Sequence, residues 1–195
     1  AVSSYRLLKY DSDSGQPLDL IQTVPLAESS FPLQLMTGNG PDDALYEVER
    51  IDGAIFFRWA DGRGNSVTKR VALSDLGYGL DVEIMAAGTM ARAPISIGTG
   101  MRDLGEAERN SRLALWGEGI TLADGELTRF KRRKVKELQI LAPGALAFAG
   151  FEDAYFLNLF RPDGGVSEVR IEPLEYAVDE ETQTVLRVSV TPARG

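Results

Sequence analysis

"IFFRWADGRGNSVTKRVAL", residues 55–73, decides the fold. Ile55, Phe57 and Trp59 alternate with Phe56 and Arg58, the period of a half-buried strand. "ADGRGNS" then supplies a cluster of turn residues, and Val67, Lys69 and Val71 return the chain with Thr68 and Arg70 on the other face. The same signature recurs on either side, with turn residues about every ten positions. Leu80, Val82 and Ile84 alternate with Asp81, Glu83 and Met85, and Leu186, Val188 and Val190 alternate with Arg187 and Ser189. "WGEGITLADGELTRF" (116–130) reads as a hairpin closed at Ala123–Glu126, because Asp-Gly takes the positive φ such a turn needs. "NLFRPDGGVSEVRI" (158–171) reads as a second hairpin, turned at Pro162–Gly165. Helix signals are scarce: 102–113 has room for one or two turns, and "PDDALYEVER" (41–50) is ambiguous. With no internal repeat and no Pro/Ser linker, residues 1–195 read as one all-β domain, a sandwich or barrel.

Composition narrows the chemistry. The 195 residues suffice for a sizeable core, and 44% apolar with 26% charged is ordinary for a soluble protein. A net charge of −8 argues against a nucleic-acid partner, which needs a basic face. The chain has no cysteine, so disulfides, thiolate zinc sites and cysteine nucleophiles are excluded. It also has no histidine, so acid–base work would fall to carboxylates, lysine or tyrosine. The apolar run from Leu141 to Phe151 is broken by Pro143, Gly144 and Gly150 and falls short of the roughly 20 residues of a membrane span. The first ten residues carry no signal-peptide pattern, and the chain reads as soluble.

Several motifs invite sharper readings. "GTGMRDLG" (98–105) contains Gly-x-Gly but lacks the Gly-Lys-Ser/Thr ending of a phosphate loop, and a strand-to-loop transition explains it. "DSDSG" (11–15) begins like a calcium loop, but Gly15 and Gln22 stand where ligands belong, so a polar hairpin tip explains it. Glu152-Asp153 and Glu180-Glu181 are adjacent pairs, which on a strand point to opposite faces and make no acid–base pair unaided. Trp59 and Trp116 are sugar-stacking candidates whose plainer reading is packing. No catalytic residue, metal ligand or cofactor site is assigned.

"RFKRRKVK" (129–136) is different: Arg129, Lys131, Arg132, Arg133, Lys134 and Lys136 gather in an acidic protein. They would face anionic lipid headgroups or an acidic partner, or else keep a strand edge from pairing. They are the candidate contact surface.

"ALAFAGFEDAYFLNLFRPDGG" (145–165) resembles a signature of the large periplasmic domain of the YidC family of membrane protein insertases. An aromatic on a strand, a short turn, a Tyr-Phe pair and an apolar strand ending in Pro fall here on Phe148, Gly150-Phe151, Asp153, Tyr155-Phe156 and Leu157 to Pro162. "AVSSYRLLKY" with "QPLDLI", "FPLQL", "GNSVTKRVALSDLGYGLDVEI" and "ISIGTGMRDL" are similar to further family segments, in order. The resemblance implies a twisted β-sandwich (a β-supersandwich, galactose-mutarotase-like) with little helix. It implies a periplasmic domain of an inner-membrane protein, lacking the family's first strand, closing strand and linking helix.

The function it implies is non-enzymatic: a scaffold near the Sec translocon that assists insertion and folding of inner-membrane proteins. The implied partners are SecD and SecF, the transmembrane core of the same protein and nascent membrane-protein segments. No insertase residue carries over, because those lie in membrane helices. Phe148, Tyr155 and Phe156 are then expected in the sandwich core, with Gly150 allowing a bend or bulge. Two alternatives stay open: a periplasmic carbohydrate-binding or mutarotase-like sandwich, and a soluble periplasmic adaptor. The mutarotase reading meets an obstacle, since those enzymes use a histidine that this chain lacks.

Overall fold

The computed structural model describes residues 1–12, 15–21, 31–38, 40–75, 77–102, 117–178 and 181–193. Along them run β1 (Arg6–Asp11), β2 (Pro17–Asp19), β3 (Met36–Thr37), β4 (Gly40–Pro41), β5 (Glu47–Ile51), β6 (Ala54–Ala60), β7 (Ser66–Leu73) and β8 (Leu80–Ala87). A 3-10 turn at Gly88–Arg92 precedes β9 (Ile95–Gly98), β10 (Glu118–Ala123), β11 (Glu126–Phe130) and β12 (Gln139–Leu141). The chain closes with β13 (Leu146–Glu152), β14 (Leu157–Phe160), β15 (Val166–Val178) and β16 (Glu181–Pro192). The protein is all-β, and its four-stranded sheets are antiparallel throughout.

The strands group into two compact units, Thr37–Ala93 and the remainder. Neither junction has a linker composition: one falls next to Met36, the other at Ala93-Pro94.

The smaller unit is built on a four-stranded meander in the order β5-β6-β7-β8. Its register is the one the alternation dictates: Ile55, Phe57 and Trp59 stand opposite Val71, Lys69 and Val67. The β5–β6 hairpin turns at Asp52 and Gly53, both with positive φ, the requirement of a tight two-residue turn. In the segment 41–50 the ambiguity resolves to strand from Glu47 onward. One face carries the ion pairs Glu49–Arg58 and Arg70–Glu83; the other carries Ile55, Phe57, Trp59, Val67, Val71, Val82 and Ile84. Trp59 thus belongs to an apolar sheet face.

The larger unit holds two four-stranded sheets, β11-β10-β13-β14 and β12-β15-β16-β9. They face each other as a sandwich. A Cβ on Gly119 of β10 would lie 3.6 Å from Leu186 Cδ1 and 3.7 Å from Val188 Cγ2 of β16. Between them sit Phe130, Ala149 and Phe151 from one sheet and Val169, Ile171, Leu186, Val188 and Val190 from the other, all buried. Burying one such large side chain stabilises by about 1.5–3 kcal/mol, which makes this layer the main support of the unit.

The hairpin expected at 116–130 is present from Glu118 onward, with Asp124 and Gly125 at positive φ. The one expected at 158–171 is not a hairpin. β14 pairs with β13 in one sheet while β15 pairs with β12 and β16 in the other, so Pro162–Gly165 carries the chain between the two layers. Turn chemistry shows that a chain reverses, not which strand it then joins. Instead β15 makes a long hairpin with β16, from Val166↔Pro192 to Val178↔Glu181.

Candidate functional site

The basic segment contains two buried anchors, Phe130 at the end of β11 and Val135. Between them the chain turns tightly: the amides of Lys134 and Val135 donate to the Lys131 carbonyl at 2.7 and 3.2 Å. This turn splits the cluster. Arg132 points inward, its amide donating to Glu118 Oε2 (2.7 Å) and its Nη1 to the Thr184 carbonyl (3.3 Å). Burial, with the charge of Arg133, lowers its pKa from the ordinary arginine value. Arg129 is also engaged. Its Nε donates to Glu152 Oε1 at 2.5 Å, a pair lying across the sheet face where Ile120 is buried, and that carboxylate raises the Arg129 pKa.

Lys131, Arg133, Lys134 and Lys136 remain exposed, with no ion pair among the described residues. The six-residue cluster is therefore four outward cations on a clamped turn.

The second site is the corner between β13 and β14, built on Asp153. Its Oδ1 accepts from the amides of Tyr155 and Phe156, both at 2.7 Å, and its own amide donates to the Phe156 carbonyl at 3.0 Å. Its Oδ2 accepts from Arg102 Nε at 2.8 Å. The Arg102 guanidinium lies 5.9 Å from the Tyr155 ring centre and 5.8 Å from that of Phe156, and Tyr10 meets Phe156 edge-on at 6.1 Å. With three N–H donors on it, this carboxylate holds a corner in shape; its oxygens are engaged within the fold.

These contacts correct the expected core. Phe151 is fully buried and Phe148 and Phe156 partly so, but Tyr155 is 75% exposed. The Asp153 turn interrupts strand alternation just before it, so the period that would have buried Tyr155 does not run through. Gly150 is also not a bend. It sits in regular register with Leu159 and Ile120, and the β-bulge falls at Ala147. Glycine is needed because a Cβ there would lie 1.9 Å from the Asn158 carbonyl oxygen.

Glu152 and Asp153 do diverge, one to Arg129 and the other to Arg102, although Asp153 lies just past the end of β13, in the turn. Asp11 ends β1 and Ser12 closes a tight turn onto Gln16, the polar tip expected of 11–15; residues 13 and 14 lie outside the described residues. So do Trp116, Glu180 and most of the helix expected at 102–113. Gly98, Gly100, Met101 and Arg102 are buried, with Gly98 and Gly100 at positive φ.

One polar group escaped the sequence reading. Lys69, on the apolar face of the small sheet, is 4% exposed, with its ammonium 4.7 Å from the Tyr46 ring centre. Tyr46 donates its hydroxyl to Asp42. Burial lowers the Lys69 pKa against the pull of Asp42, and burial with the Asp42 hydrogen bond raises that of Tyr46. The signal was an ionisable residue in an apolar register. Among the described residues no group of three or more acidic side chains is placed to hold a metal ion, and no helix is long and apolar enough to cross a membrane.

No family model, no curated protein and no solved structure matches this chain.

Proposed function

We propose that this chain is a non-enzymatic interaction domain, the periplasmic module of a YidC-type membrane protein insertase. It assists insertion and folding of inner-membrane proteins by positioning the insertase beside the Sec translocon, where SecD and SecF are its partners. The observation that carries the reading is the place of the family-like run in the fold. Residues 145–162 contain the paired strands β13 and β14, and β13 supplies Phe151 to the inside of an antiparallel sandwich. Support also comes from "GNSVTKRVALSDLGYGLDVEI", which supplies the paired strands β7 and β8.

The chemistry of the two candidate sites agrees with a scaffold. The Asp153 carboxylate and Arg132 are committed to holding the chain together, and the groups left outward are cations on a turn. The test is site-specific photocrosslinking from the exposed positions 131, 133, 134, 136 and 155 in the source cells. The proposal expects adducts with SecD, SecF or the insertase's own membrane core. Adducts confined to unrelated soluble proteins would overturn it.

A further inference from the structure

We propose that the turn bearing Lys131, Arg133, Lys134 and Lys136 docks on an anionic lipid surface, with Leu138 and Ile140 entering the headgroup layer. The inference stands on charge and exposure alone and does not need the insertase reading.

The four cations project from a turn fixed on the inside by Val135 and by Arg132. Directly after them, Leu138 and Ile140 are 44% and 53% exposed. Two residues apart, they fall on one side of the chain as it enters the edge strand β12. Lys134 and Ile140 are six residues apart, hence separated by at most roughly 20 Å. Cations and apolar side chains thus lie close together along residues 131–140, which hold Glu137 as their one carboxylate. On the neighbouring strand Glu168 and Glu172 flank Arg170, the partner of Ile140, and are paired with Arg170 and Arg187.

Three of the four cations are lysines, point charges on long stems that suit a fluid array of phosphates better than a defined acidic protein site, which would reward the planar bidentate fork that Arg133 alone supplies. Exposed leucine and isoleucine beside them add what a headgroup layer accepts and a purely ionic partner does not.

The net charge of −8 does not oppose this. At physiological ionic strength charges are screened beyond about 8 Å, so a membrane in contact with this turn meets the local cations and not the remote carboxylates. Each Lys or Arg near an anionic leaflet strengthens binding about fivefold, so four together give a several-hundred-fold preference for anionic over neutral lipid.

The test is co-sedimentation of the full chain with vesicles of phosphatidylcholine alone and of phosphatidylcholine containing phosphatidylglycerol, at physiological ionic strength, where the remote carboxylates are screened, and at about 1 M salt. The expected result is binding to the anionic vesicles only, reversed by salt. Replacing Lys131, Arg133, Lys134 and Lys136 together by Gln should reduce it to the neutral-vesicle level, and Leu138→Ser with Ile140→Ser should weaken it several-fold. Circular dichroism identifies a variant that has failed to fold, and the salt titration of the unmodified chain then decides alone. Equal binding to both vesicles, salt-independent binding, or capture of polyglutamate without vesicle binding would each overturn the proposal.

Discussion

Arg102 and Asp153 form an ion pair at 2.8 Å with side chains 7% and 1% exposed, linking the chain after β9 to the corner between β13 and β14. Fifty-one residues separate them in sequence. A buried pair of this kind adds little net stability over apolar replacements, but removing one partner strands the other. Arg102→Ala or Asp153→Ala should each cost about 3–5 kcal/mol. The double variant should cost clearly less than the sum, as a double-mutant cycle by denaturant unfolding would read. Strict additivity would mean the two groups do not depend on each other.

Two glycines on neighbouring strands lead to opposite expectations. At Gly150 a methyl group would meet the Asn158 carbonyl oxygen at 1.9 Å, a backbone atom that cannot step aside without breaking the β13–β14 ladder. Gly150→Ala should cost about 3 kcal/mol or more, the upper end of overpacking. At Gly119 the nearest atoms are side-chain carbons at 3.3 to 3.7 Å. Gly119→Ala should be mild, within about 1 kcal/mol, because those side chains can shift by tenths of an ångström. Equal losses of Tm at both positions would contradict the pairing of Gly150 with Leu159 across β13 and β14.

The aromatic run divides by burial. Phe151→Ala, at a side chain with no exposure, should cost about 3–5 kcal/mol. Tyr155→Ala should cost well under half of that, since most of the residue faces solvent and little beyond the contact with Arg102 is lost. Thermal unfolding of the two variants side by side checks the order; a larger loss at Tyr155 would reverse it.

Asp19 sets an acid dependence. Burial pushes its pKa up, but the Ser4 hydroxyl, the amides of Ile21 and Tyr5, and Arg6 outweigh burial and hold it below 3.8. A folded value below the unfolded one means the ionised form is favoured in the fold. The stabilisation is therefore present above about pH 4 and lost as pH falls through the lower folded value. Asp19→Asn should lower Tm at pH 7, with the difference from the parent shrinking near pH 3. A difference that stays constant over that range would show that the carboxylate charge contributes nothing.

Much of the fold is legible in the sequence because period-2 alternation and Asp-Gly turns are local signals. The β6–β7 register follows from Ile55, Phe57 and Trp59 against Val67, Lys69 and Val71, and the turn at Asp124-Gly125 from its dipeptide. What stayed hidden is non-local. Nothing near Asp153 names Arg102 as its partner, and nothing in Pro162–Gly165 says that β15 leaves the sheet of β14. The role of Gly150 was misread for the same reason, since its neighbour Asn158 arrives on another strand. The basic cluster was visible as charge, but its division into a clamp and four outward cations depends on Glu118 and Thr184.

The most direct measurement is fractionation of the source cells, probed with an antibody against this domain. The insertase proposal predicts that the domain is carried by a much larger polypeptide that stays with the inner membrane through alkaline extraction. A soluble product of about this chain's own size would contradict it.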